Sequence, residues 1–103
     1  MKKYEIVVTN NVWYNLNEIK DYIVSVASER LAEKYTDQLL DDIRALSNPL
    51  LTNAIQPSQW RTAKRYHRNA KRLITKNRKW NIIFHTQGNY VIVDAIIPST
   101  LMK

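Results

Sequence analysis

Arg61, Lys64, Arg65, Arg68, Lys71, Arg72, Lys76, Arg78 and Lys79 fall within nineteen residues that contain no acid, and His67 sits among them. Trp60, Tyr66 and Trp80 lie inside or beside the run. These types suit one kind of chemistry. Lysine and arginine neutralise phosphates and release their counterions, and aromatic rings stack on unpaired bases. Cleaving RNA would further require a group that takes the proton of a ribose 2′-hydroxyl, a donor for the leaving oxygen, and positive charge for the phosphorane. His67 with Arg65 and Arg72 supplies those types without a metal. Lys64, Arg65, Tyr66, Arg68, Lys71 and Arg72 are the candidate nucleic-acid contacts. The same surface could take an acidic protein segment, or the charge could serve only for solubility.

His85 reads as a core or rim histidine. Asp94 is the one acid after Asp42. Inside an apolar segment its carboxylate needs a partner, either an arginine or a backbone donor. Orienting Arg72 is the sharper alternative for it. Two histidines and no cysteine make a poor metal donor set, and nothing in the chain points to a cofactor.

Charge is unevenly divided. Residues 1–55 carry six bases against eight acids, and residues 56–103 carry ten against one, which gives the net +7 of the 103-residue chain. The length suits one domain, residues 1–103, and the apolar fraction of 45% suits a globular core. No apolar run reaches the ~20 residues of a membrane span, and no secretion signal is evident, so a soluble cytoplasmic protein is expected.

The elements that must position the basic run follow from periodicity. Tyr4–Thr9 is β-branched and aromatic and predicts a strand. Val12, Leu16, Ile19, Ile23 and Val26 recur at steps of three and four and predict a helix ending near Ala27. Ser28 is an N-cap residue for a second helix with the stripe Leu31, Tyr35, Leu39, Ile43 and Leu46, stopped at Asn48-Pro49. A long loop is expected over 47–59. Arg72–Thr75 predicts a strand that could begin as early as Lys64, and Trp80–His85 predicts another. Gln87-Gly88-Asn89 is a turn. Tyr90–Ile97, apolar on both faces apart from Asp94, predicts a strand inside the sheet. The order is β-α-α-β-β-β, an α+β fold with an antiparallel-rich sheet. A helical hairpin would cover one face, leaving the other open to present the basic side chains.

This ordered set resembles the RelE/ParE superfamily of type II toxin–antitoxin toxins over nearly the whole chain. The resemblance rests on the opening strand YEIVVT, the helix phrase NEIKDYI and the leucine-then-proline exit of the second helix. It rests further on the basic segment around Lys71-Arg72-Leu73, the aromatic strand WNIIF and the β-branched strand YVIVDAII. The resemblance implies a bacterial toxin silenced by a cognate antitoxin. Its partners would be the ribosome and mRNA if it is a ribosome-dependent endoribonuclease, or DNA gyrase if it is a non-enzymatic inhibitor. A decayed toxin that only binds is a third possibility. Arg72 is the positional match to the basic residues of ribonuclease members. The chain departs from the family at Asn81, where an arginine is common, and in Ile97–Lys103, which lacks the usual histidine, arginine or terminal aromatic.

Overall fold

A computed structural model of the chain describes residues 3–99. The elements are β1 (Glu5–Val8), α1 (Asn10–Val26), α2 (Glu29–Ala45), α3 (Pro49–Ala54), α4 (Arg61–Lys64), β2 (Lys71–Ile74), β3 (Trp80–Gln87) and β4 (Tyr90–Pro98). They form an α+β fold around one four-stranded sheet in the order β1-β4-β3-β2. β1 runs parallel to β4, while β4–β3 and β3–β2 are antiparallel. β4 is therefore an interior strand, as its apolar sequence predicts.

The helical hairpin packs on one face. Val12, Leu16, Ile19 and Ile23 of α1, with Ala32, Leu39 and Ile43 of α2, meet Ile82, Phe84, Val91, Val93 and Ile96 of the sheet. Removing such side chains from water is worth roughly 1.5–3 kcal/mol each. Ser28 caps α2 by accepting the Leu31 amide at 3.2 Å. Val26, 62% exposed, and Leu31 leave the predicted stripes. Both sit where the hairpin overhangs the sheet, beside an open apolar groove that also takes in Tyr22, Tyr35 and Trp80.

Two expectations change. The segment 47–59 is not all loop. Asn48-Pro49 ends α2 but also starts α3, because the Asn48 side chain accepts the Leu50 amide at 3.0 Å and proline suits the first helical position. Nor does a basic strand begin at Lys64. Arg61–Lys64 is a helical turn, turns follow to Ala70, and the strand starts at Lys71. This segment folds over the sheet face opposite the hairpin, where Ala63 and Ala70 bury Ile83 and Ala95 with Trp60 and Ile97 alongside. The second face is thus capped in its middle and not open. Thr100–Lys103, most of the segment that lacks the family's basic and aromatic residues, lie outside the described residues.

Candidate nucleic-acid interface

The site is built around a flaw in the β3–β4 ladder. Ile83 pairs with Ala95 and Phe84 with Val93, so Asp94 is an extra residue in β4. Such a bulge re-aims side chains. Val91 and Val93 point into the hairpin core, Ala95 into the capped face, and Ile96 into the core again. Asp94, outward by alternation from Val93, lies on the capped face, where His85 projects by alternation from Phe84.

The bulge persists because α1 supplies the partners that β1 does not. β1 stops at Val8, whose register partner is Val93. Beyond it the Thr9 hydroxyl donates to the Val93 carbonyl at 2.9 Å, and the Asn11 amide donates to the Asp94 carbonyl at 3.0 Å. The Ile96 N–H donates to Asn15 Oδ1 at 3.0 Å. The Val93 and Asp94 carbonyls and the Ile96 N–H are thereby satisfied beyond the end of β1.

Asp94 Oδ2 lies 2.7 Å from His85 Nδ1, with the two side chains only 12% and 10% exposed. Burial raises the Asp94 carboxyl above its ordinary value of 3.8, while the hydrogen bond from His85 and the charges of His85 and His67 pull it back. The partner expected for Asp94 was an arginine or a backbone donor, or Arg72 itself; the structure gives it His85. The reason is register, since Arg72 sits opposite Ile83 on β2 and the bulge turns Asp94 toward the next outward residue of β3. His67, in the turn after α4, stacks on His85 with ring centroids 4.0 Å apart and planes within 3°. His67 Nδ1 accepts the Asn69 N–H at 3.0 Å.

The other sequence candidates separate into three groups. Lys64, Arg65, Tyr66 and Arg68 are exposed on the outside of the cap, with Lys64 Nζ donating to Gln59 Oε1 at 3.1 Å. Lys71 points the other way. It pairs in register with Phe84, its Nζ donates to the Thr52 carbonyl at 3.0 Å, and burial lowers its pKa from 10.5. It serves as a strut to α3. Arg72 alternates to the outer side and is exposed there.

Arg72 lines an open basin of about 600 Å³ with Ile74, Thr75, Lys76, Arg78, Asn81 and Ser99. Three cations and no acid border it. Its rim is fixed: Asn81 Nδ2 donates to Ser99 Oγ at 3.1 Å, and Ser99 Oγ donates to the Arg78 carbonyl at 2.8 Å. Arg78 has φ of +61°, the left-handed region that disfavours a side chain. Lys76 and Arg78, outside the set of contacts that the sequence suggests, thus join Arg72. Lys79 instead lies over the Tyr35 ring, 4.5 Å from its centroid. Among the described residues no hydrogen bond, ion pair or ring contact joins His67, Arg72 and Arg65 to one another. Sequence reasoning missed the His85–Asp94 pair, whose only trace is an acid in an otherwise apolar strand at the point where its parity changes. No group of three or more His, Asp or Glu among the described residues could hold a metal ion, and no described helix is long and apolar enough to cross a membrane.

No family model matches this chain, and no curated protein matches it by sequence. Among solved structures, it is similar to a chain of the chromosomal ParDE TA system from P. aeruginosa. That likeness has a TM-score of 0.77 at 16% identity and covers 93% of this chain and 96% of that one. The two chains share a fold.

Proposed function

We propose that this chain, as one domain spanning residues 1–103, is the toxin of a type II toxin–antitoxin pair. It is held silent in the cytoplasm by a cognate antitoxin protein, and once released it cuts mRNA on the ribosome as a metal-independent endoribonuclease. The fold shared with a chain of a ParDE toxin–antitoxin system supports the toxin reading. The observation that carries the choice of RNA is the basin of Arg72, Lys76 and Arg78, bordered by amide and hydroxyl groups and by no acid. Guanidinium groups on a fixed rim suit a phosphate and the charge that grows on it during transfer. The exposed Arg65, Tyr66 and Arg68 on the cap extend the cationic and stacking surface beyond the basin. Expression of the chain alone, followed by mapping of transcript ends, tests this. New ends within translated messages are expected; growth arrest with intact messages would contradict it.

A second reading, inhibition of DNA gyrase without catalysis, is favoured by Asn81 standing where the family that the sequence resembles often carries arginine. Purified protein would then block supercoiling by gyrase, and unaffected supercoiling at saturating protein would exclude it.

A further inference from the structure

The basin supplies charge but no base. The histidine pair lies along the same sheet face, since Arg72 is opposite Ile83 and His85 is the next outward residue of β3. With Asp94 ionised, the 2.7 Å contact fixes the proton of His85 on Nδ1, leaving a lone pair on Nε2. Nε2 has no partner among the described residues, yet none of their buried side-chain nitrogens or oxygens lacks one. His85 Nε2 is therefore not fully enclosed, although the residue as a whole is 8% exposed. His67 is complementary. Its Nδ1 accepts the Asn69 amide, so the neutral ring carries its proton on Nε2 and is a donor.

We propose that His85 is the general base for RNA cleavage, with Asp94 as its positioning residue and His67 as a neighbouring hydrogen-bond donor to the phosphate. This rests on the ribonuclease reading and assigns its proton transfers. The ribose 2′-hydroxyl gives its proton to His85 Nε2 as O2′ bonds to phosphorus. The P–O5′ bond breaks on the far side of phosphorus, the departing O5′ takes a proton from water, and the imidazolium gives its proton to solvent. The products are a 2′,3′-cyclic phosphate and a 5′-hydroxyl, and His85 returns to its starting state. Asp94 stays ionised and stabilises the imidazolium while it exists.

The experiment measures single-turnover cleavage of mRNA on programmed ribosomes from pH 5 to 9, using the full chain and its Asp94→Asn and His85→Gln variants. Thermal unfolding checks that each variant is folded. The expected result is a loss of about 100-fold or more in both variants, the usual scale for removing a general base. RNA binding should be retained, and the rise in rate with pH seen in the wild type should disappear. Cleavage by the wild type with variants of equal rate and pH profile would overturn the inference while leaving the ribonuclease reading intact. A wild type that leaves RNA uncut would remove both. The ¹⁵N spectrum of the wild-type histidines is a check that needs no variant. A His85 proton on Nδ1 is expected, and one on Nε2 would overturn the inference.

Discussion

His85 and Asp94 meet at 2.7 Å because β4 carries one residue more than β3 can pair. Without the bulge, strict alternation from Val93 would send Ala95 into the hairpin core and Ile96 onto the capped face. The bulge keeps Ile96 in the core and leaves Asp94, outward by alternation from Val93, without a register partner on β3. Burial raises the Asp94 carboxyl, so the folded chain holds that proton more tightly than the unfolded chain does. Asp94 therefore contributes stability below pH 3.8 that is lost as pH rises through its raised value. Asp94→Asn removes this dependence. The stability of the wild type relative to Asp94→Asn should fall with rising pH across that acid window. Denaturant unfolding of both proteins at matched pH values measures the difference, and a difference that rises with pH would contradict the burial argument.

Asn15 holds the other end of the bulge by accepting the Ile96 N–H. Asn15→Ala leaves that amide without its partner, which should destabilise the fold by about 1–2 kcal/mol. Asn11→Ala, at an exposed contact with the Asp94 carbonyl, should cost less. Chemical denaturation of the two variants gives the order, and an equal cost would mean that solvent replaces both partners.

Adjacent cations on β2 should behave oppositely. Arg72 faces the basin, whereas Lys71 is tied to the Thr52 carbonyl on the hairpin side. Arg72→Gln should weaken binding of single-stranded RNA and reduce the salt slope by about 0.7, one phosphate contact. Lys71→Gln should leave both unchanged. Fluorescence titrations over a range of salt concentrations separate the two, and equal losses would mean that the charge acts without regard to face.

Arg78 adopts φ +61° although a glycine would take it with less strain. Arg78→Gly should raise stability by about 1 kcal/mol, relief of a left-handed side chain, while lowering RNA affinity through loss of a basin cation. Thermal unfolding and RNA titration of the same variant test the pair of effects. A stabler variant with undiminished affinity would place Arg78 outside the binding surface.

The two long helices α1 and α2, the last two strands and the interior position of β4 are legible because their apolar residues repeat with clear periods over long stretches. The cap is not legible in the same way. Between Arg61 and Ala70 only Ala63 and Ala70 are buried, too few to set a period, and the mixture of arginine and aromatic side chains around Tyr66 passes for an alternating strand. The bulge leaves a fainter mark. Val91 and Val93 are two apart and the next core residue, Ile96, is three further on, a break hidden because Ala95 and Ile97 are apolar as well. His67 was recognisable as a site candidate from its cationic neighbours. Its partnership with His85 depends on the cap folding across the sheet, which no local spacing encodes.

The most direct test of the ribonuclease account is end-labelled mRNA on programmed ribosomes, incubated with the purified chain. The account predicts new fragments ending in a 2′,3′-cyclic phosphate, abolished by the cognate antitoxin. Intact mRNA, under conditions where the same preparation stops gyrase from supercoiling DNA, would contradict it.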